Sequence, residues 1–195
     1  MPRASGFLCL LLAAAAASLL APAGCAHAQG GLFPTPASTN VSASWTISLK
    51  ANGHGGSQQS SGYLDGMSVS VFLLQPVDEG GGDGLCFAAC FYCTDPCADF
   101  YFGVCILQAD SGGLFVGTGI LRVVWSANRG RPVRENATLT FATTGDLLLR
   151  DADGSLVWST ATSGQSVARM TMTKSGNLVL FDGKNTPIVC SWASN

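Results

Sequence analysis

Apolar and polar residues alternate along much of the second half of the chain, in short runs separated by polar turns. Because a period of two places successive side chains on opposite faces of a strand, these runs predict half-buried β-strands. Residues 67–74 (MSVSVFLL) predict a further strand, and residues 45–49 a weaker one. Turn sequences at 144–146, 151–154 and 175–177 contain Gly with Asp or Asn and are typical of hairpins. The pattern therefore predicts an all-β protein.

The strand pattern also repeats. Residues 139–151 (LTFATTGDLLLRD) match residues 170–182 (MTMTKSGNLVLFD) at an offset of 31. A Val-Trp-Ser triplet at 124–126 recurs at 157–159, and its third copy is expected at 189–191, with Cys190 at the Trp position. A repeated β unit cannot bury its own face, so the copies must close around a shared core. The predicted repeats span about 105–125, 139–158 and 170–190, with their tryptophans in that core; stacking of these tryptophans on a ligand is the alternative.

The first 28 residues have the organisation of a secretory signal peptide. Arg3 supplies the positive charge, residues 7–20 are apolar, and residues 26–28 (AHA) form a cleavage site. A membrane anchor is the rival interpretation, but the uncharged run is short and is interrupted by Pro22 and Gly24. No later apolar stretch is long enough to span a bilayer, so we expect a secreted protein with no transmembrane span.

Cysteine usage fits an oxidising compartment. After the leader the cysteines are Cys86, Cys90, Cys93, Cys97, Cys105 and Cys190. An even number favours disulfides, with 15 pairings open. A zinc site would need four of these thiolates, since His54 is the only histidine after the leader, and we expect no metal. Cys190 is predicted either to pair with one of the others or to be an unpaired core residue. Asn40 and Asn136 lie in N-glycosylation sequons.

Composition narrows the classes of function. Of the 195 residues only 11% are charged and the formal net charge is −2, so nucleic acid is not an expected partner. The scarcity of histidine and the absence of a phosphate-binding motif argue against an enzyme and against a cofactor. The aspartates around residues 146–153 fall at predicted turns, where structural use is favoured over catalysis or calcium binding. Residues 29–62 form a Gly/Ser-rich N-terminal segment.

Three segments resemble the bulb-type (G-type, monocot mannose-binding) lectin domain, especially as found in the extracellular regions of plant S-locus-type receptor-like kinases. They are residues 123–133 (VVWSANRGRPV), 136–160 (NATLTFATTGDLLLRDADGSLVWST) and 176–182 (GNLVLFD). The cysteine-rich residues 85–104 are similar to the region ahead of that motif, so a lectin-like domain is assigned to 63–195. The resemblance implies a β-prism of three four-stranded antiparallel sheets with pseudo-threefold symmetry, and an extracellular location in the apoplast.

The resemblance also implies a sugar site with the pattern Gln-x-Asp-x-Asn-x-Val-x-Tyr, whose alternate side chains converge on one face of a strand pair. Every copy in this chain is degenerate. The candidates are Asn177, Val179 and Phe181 in the third repeat, Gln108 and Asp110 in the first, and Asp146 in the second. The structural alternative is that Asn177 caps a turn and Val179 is a core residue. For the first repeat, the alternative is that both polar residues belong to a solvated loop.

The expected function is binding of mannose-type glycans by a secreted module with degenerate sites. Expected partners are glycans or glycoproteins, with receptor-like kinases as a further candidate. The alternative is an extracellular protein-interaction module, a kinase-less receptor-like ectodomain that has lost sugar binding. The chain stops at Asn195, before the further modules, membrane span and kinase of the receptor-type relatives, so kinase activity is not carried over. An incomplete closing strand would leave an open sheet edge, which predicts self-association.

Overall fold

The fold is entirely β. A computed structural model describes residues 37–38, 42–47, 60–64, 66–77, 84–110, 113–114 and 121–191. The predicted leader and Asn40 lie outside these residues, as does His54. Within them there are fourteen strands and no α-helix, which confirms the all-β prediction. In chain order the strands are β1 (Ala37–Ser38), β2 (Ala43–Thr46), β3 (Ser60–Leu64), β4 (Met67–Pro76), β5 (Gly84–Thr94), β6 (Tyr101–Asp110), β7 (Gly113–Leu114), β8 (Leu121–Ser126), β9 (Thr138–Phe141), β10 (Leu147–Arg150), β11 (Leu156–Ser159), β12 (Val167–Met172), β13 (Leu178–Asp182) and β14 (Pro187–Cys190).

The strands form three antiparallel sheets, as expected for a β-prism. Two sheets have four strands, in the orders β1-β12-β13-β14 and β11-β10-β9-β2. The third has six strands, in the order β3-β4-β5-β6-β7, with β8 also paired to β6. Each sheet therefore contains one three-stranded unit with its second strand in the middle: β5-β6-β8 (first unit), β9-β10-β11 (second unit) and β12-β13-β14 (third unit). The first unit starts at β5, upstream of the predicted start at residue 105.

Strands from the Gly/Ser-rich segment complete two of the sheets. β2 pairs with β9, with Trp45 opposite Leu139, and β1 pairs with β12, with Ala37 opposite Met170. The weak strand prediction at 45–49 corresponds to β2, and the prediction at 67–74 to β4. The sheets of the lectin-like region therefore include strands from before residue 63.

The pairing register defines which residues of the three units are equivalent. In each unit a buried residue of the middle strand lies opposite one residue of the third strand: Val104 opposite Trp125, Leu149 opposite Trp158 and Leu180 opposite Val189. The prediction that Cys190 takes the third Trp position is therefore wrong. Val189 takes it, and Cys190 lies opposite Val179 as Ser159 lies opposite Leu148.

The reason for this shift is the length of the last hairpin turn. In the second unit Asp151 N donates to Ser155 O at 2.9 Å, and in the third Asp182 N donates to Thr186 O at 2.9 Å. Both turns have the same length, so the offset of 31 persists to the end of the repeat. The triplet match at 189–191 required an offset of 32.

The two repeat tryptophans meet in the core, as predicted. The Trp125 and Trp158 ring centroids lie 5.9 Å apart in an edge-to-face arrangement, and both rings contact Phe102, at 5.9 and 5.7 Å. Trp125 is buried, and Trp158 packs against the same core. At the third position Val189 is much smaller than an indole. A small apolar pocket remains beside it, lined by Leu147, Trp158, Thr160, Leu178, Leu180, Val189 and Ser191.

Candidate carbohydrate-binding site

The candidate residues of the third unit lie on or next to β13. Leu178 and Leu180 belong to the core, so strand alternation directs Val179 and Phe181 to the opposite, outward face. Asn177 follows a tight turn in which Thr173 N donates to Asn177 O at 2.8 Å. Gly176 has φ +81°, and a Cβ there would lie 2.6 Å from the ring of Phe87. Only glycine fits this turn, which places Asn177 immediately before β13.

The Asn177 side chain is only partly engaged by the protein. Its Oδ1 accepts a long hydrogen bond of 3.4 Å from Ser191 Oγ, which itself accepts from Leu178 N at 3.3 Å. The amide nitrogen Nδ2 donates to no group in the part of the chain that the structure describes. The hydroxyls of Thr173 and Ser175 bond each other at 2.9 Å. Asn177 is therefore the polar group of this row with donor capacity left for a ligand.

The other two positions of the row are less available. Val179 is only 4% exposed, so little of its side chain can pack against a sugar ring. Phe181 is half-buried, and the Arg169 guanidinium carbon lies 4.1 Å from its ring centroid. Arg169 is held there by Asn185, whose Oδ1 accepts from Nε at 3.2 Å and from Nη2 at 3.1 Å. A cation therefore covers the ring that replaces the phenol of the sugar-binding pattern.

In the second unit, Asp146 is used by the fold. Its Oδ1 accepts from Thr162 N at 2.6 Å and from Ser159 Oγ at 3.5 Å, which ties the start of β10 to the segment after β11. Arg150, at the position of Tyr, donates through Nη1 to Gly154 O at 3.0 Å. This unit offers a structural carboxylate rather than a row of free polar groups.

The first unit does not place Gln108 and Asp110 where the third unit has its candidates. Both lie at the far end of β6, where Gln108 is opposite Leu85 and Asp110 is opposite Gly113. Gly103 lies opposite Ser126, as Val179 lies opposite Cys190, so Gly103 and Tyr101 are the equivalents of Val179 and Asn177. The structure therefore does not bring the polar candidates of the first and third repeats to equivalent positions.

Five of the six predicted cysteines form disulfides. Cys90 bonds Cys105, linking β5 to β6, and Cys93 bonds Cys97 across the turn that follows β5. Cys86 is also disulfide-bonded. The disulfide prediction is confirmed for these residues. The Cys190 side chain lies outside what the structure describes, so its state stays a prediction. No group of three or more His, Cys, Asp or Glu residues within the described ranges is arranged to hold a metal ion.

Two stabilising features of the structure were not predicted from the sequence. Asn128 is 4% exposed; its Oδ1 accepts from Phe102 N at 2.9 Å, and its Nδ2 donates to the carbonyls of Phe100 and Arg131 at 3.2 and 3.1 Å. Asn128 lies within residues 123–133, a segment that resembles the lectin domain, and this position could have indicated its importance.

The other feature is an ion pair network at the β10–β11 turn, where Arg134 forms salt bridges with Asp151 at 2.9 Å and with Asp153 at 3.0 Å.

Hydrogen bonds and the Arg134 charge favour the ionised form of both aspartates at this turn. Partial burial raises the pKa of Asp151, but hydrogen bonds from the Arg134 backbone and guanidinium outweigh it and bring the pKa below its ordinary value. A backbone hydrogen bond from Ser155 lowers the pKa of Asp153. The two aspartates are therefore engaged by Arg134 and by their own turn. The sequon residue Asn136 lies nearby on the surface, with its side chain exposed.

Comparison with known proteins points to one domain type. Residues 122–195 match the sequence model of the D-mannose binding lectin family. The chain is 48% identical over 79 residues to EP1-like glycoprotein 3 of Arabidopsis thaliana, covering 40% of this chain and 16% of that protein. It is 41% identical over 81 residues to the epidermis-specific secreted glycoprotein EP1 of Daucus carota, covering 42% and 19%. A G-type lectin S-receptor-like serine/threonine-protein kinase of Arabidopsis thaliana is 38% identical over 72 residues, covering 37% and 8%.

The chain spans less than a fifth of the length of these relatives. The kinase match in particular covers 8% of the kinase. Within the described ranges, no helix has the length and apolarity needed to cross a membrane.

Proposed function

We propose that this chain is a secreted, non-enzymatic module that binds mannose-type glycans weakly through its third unit, since residues 122–195 match the sequence model of the D-mannose binding lectin family. The observation that carries the proposal is the Nδ2 of Asn177, which donates to no group within the described residues and lies at the end of the outward row that continues to Phe181. This unit keeps the Asn and Val of the sugar-binding pattern, and Nδ2 can donate to a sugar hydroxyl.

The affinity is expected to be low. A millimolar site corresponds to about −4.1 kcal/mol, and each neutral hydrogen bond contributes about 0.5–1.5 kcal/mol. The third unit lacks the Gln and Asp of the pattern and the hydroxyl of Tyr, and Arg169 covers the Phe181 ring. We therefore expect millimolar or weaker binding of a single mannose. Detectable binding then requires multivalent presentation.

Secretion is proposed on separate grounds. The first 28 residues have signal-peptide organisation, and five cysteines are disulfide-bonded, which fits an oxidising compartment. Asn136 is an exposed sequon residue and is proposed as a glycosylation site, together with Asn40. The related carrot protein carries the word secreted in its name.

Glycan-array binding of the chain, followed by titration of multivalent mannose, tests the proposal. Asn177→Ala is expected to weaken this binding, because it removes the Nδ2 donor of the third unit. Gln165→Ala is a matched control, because it removes an exposed amide that lies outside the third unit. Binding that Asn177→Ala leaves unchanged, or the absence of binding to every glycan on the array, would contradict the proposal.

A protein-interaction module is the second candidate, and a specific observation favours it. Asp146 is engaged by the backbone, Val179 is buried and Phe181 is covered, so erosion of the sugar pattern extends over two units. On this account receptor-like kinase ectodomains, or a second copy of the chain, are the partners. Capture of such an ectodomain in the presence of free mannose would support it. A monomer in size-exclusion chromatography at high concentration would count against self-association.

A further inference from the structure

The outward face of the first unit carries an aromatic surface that the sugar-binding pattern does not include. Tyr92 on β5 lies opposite Tyr101 on β6. Their rings are stacked, with centroids 5.4 Å apart and planes 24° from parallel. Both side chains are half-buried, so each is fixed by the sheet while part of it remains accessible. Such a pair presents apolar ring surface together with two phenol hydroxyls.

Gly103 explains how this pair can lie across the sheet. It follows Tyr101 by two residues on the same face of β6, and it lies between Cys90 and Ser126 on the neighbouring strands. A Cβ at this position would clash with the carbonyl oxygen of Trp125 and would come within 3.1 Å of the Tyr92 ring. Because glycine has no side chain, the Tyr92 ring can lie over β6 towards β8.

Ser126 and Arg129 influence the Tyr92 phenol. Ser126 is 6% exposed, and its Oγ is a buried atom with no hydrogen-bond partner within the described chain. Burial raises the pKa of Tyr92, and the Ser126 hydroxyl and the Arg129 charge partly oppose this. A ligand at this face therefore meets ring surface and phenol hydroxyls.

We propose that Tyr92 and Tyr101 form a second saccharide site, on which a neutral pyranose ring of a glycan packs while its hydroxyls bond the phenols. The inference rests on the proposed carbohydrate-binding function. Aromatic rings carry negative charge on their faces and attract the positively polarised hydrogens of an apolar ligand surface. One face of a pyranose is a set of C–H groups and its rim is hydroxyls, which complements ring surface bordered by phenols. Tyr101 is the equivalent of Asn177, so the two sites occupy matching faces of two units.

The test uses the full chain labelled in the tyrosine rings. The sequence contains three tyrosines, so the ring spectrum contains Tyr92, Tyr101 and Tyr63. Methyl α-mannoside, methyl β-glucoside, methyl β-galactoside and a neutral oligosaccharide panel are titrated to about 10 mM, above a millimolar dissociation constant. We expect the Tyr92 and Tyr101 signals to shift with at least one saccharide. Tyr101→Leu, which keeps apolar bulk but removes the ring, should weaken that binding about 3- to 10-fold.

Two further variants separate this inference from the proposed function. Tyr101→Phe keeps the stacked ring and should retain most of the affinity, while Asn177→Ala should leave the tyrosine shifts unchanged. Thermal unfolding of each variant confirms that it is folded. If a saccharide binds in a manner that depends on Asn177 and the tyrosine signals do not move, the second site is refuted and the proposed function stands. If the tyrosines respond and Asn177→Ala has no effect on any binding, the third-unit proposal fails and the second site stands.

Discussion

Replacing Asn128 by alanine removes a buried side chain that joins three backbone groups. Its Oδ1 accepts from Phe102 N, and its Nδ2 donates to the carbonyls of Phe100 and Arg131. Phe102 lies at the centre of the aromatic core, against both Trp125 and Trp158. The substitution therefore tests whether the hydrogen bonds from the loop after β8 contribute to the stability of the core.

The three contacts do not contribute equally. The Phe102 amide is part of a fully buried residue, and leaving it without an acceptor costs about 1–3 kcal/mol. The Phe100 carbonyl also accepts from Val133 N at 3.0 Å, so it stays bonded, and Arg131 is exposed, so water can replace the amide there. These two bonds together add about 1 kcal/mol. We therefore expect the free energy of unfolding to fall by about 2–4 kcal/mol, mainly through one amide.

Denaturant unfolding with intact disulfides, followed by tryptophan fluorescence, measures this change. Asn177→Ala is the control, since it removes one 3.4 Å hydrogen bond from a half-buried amide and should cost less than about 1 kcal/mol. Equal and small losses for the two variants would refute the reasoning. The outcome would mean that the Phe102 amide finds another partner, or water, when the Asn128 side chain is absent.

Two further predictions follow from the core and from Tyr92. Val189→Ile should fill part of the pocket beside the missing third indole and raise the free energy of unfolding by up to about 0.8 kcal/mol, measured by thermal unfolding; a loss of stability would mean that the pocket cannot take a methylene. Burial raises the pKa of Tyr92 above its ordinary value of 10.0, so its contribution to stability is present below that pH and is lost as the pH rises through the folded pKa. Tyr92→Phe should therefore unfold less readily than the wild type above about pH 10, and identical alkaline profiles would contradict this.

The local sequence pattern was sufficient to predict the strands of the second and third units. Alternating runs at 139–151 and 170–182 became β9–β10 and β12–β13, because both strands of each hairpin and their Gly-containing turn are contiguous in sequence. The partners of β1 and β2 were not predictable in this way. Trp45 pairs with Leu139 and Ala37 with Met170, which are far apart in the sequence, and such pairings depend on the assembled core rather than on neighbouring residues.

The candidate site was predicted less well than the fold. The sequence match aligned Gln108 and Asp110 with the sugar pattern, but register places Tyr101 and Gly103 at the equivalents of Asn177 and Val179. The sequence match treated the strand from residue 105 as the first strand of its unit, whereas the pairing makes β6 the middle strand, between β5 and β8. Only the pairing itself identifies which residues share a face.

The three units differ most where a ligand would bind and agree most where the core is closed. In each, the amide of the first buried residue of the middle strand donates to a side-chain oxygen from the segment after the third strand: Phe102 to Asn128, Leu147 to Thr160 and Leu178 to Ser191. Asn, Thr and Ser can each accept this hydrogen bond, because the backbone amide requires only a side-chain oxygen at that place. On the outward faces the equivalents are Tyr101, Asp146 and Asn177, which carry a phenol, a carboxylate and an amide. Tyr101 and Asn177 lie on the outward face rather than in the core, so these two positions can change without opening it, whereas Asp146 is tied to the fold by the hydrogen bond from Thr162 N. The unit that lost the sugar pattern is therefore free to acquire an aromatic surface instead.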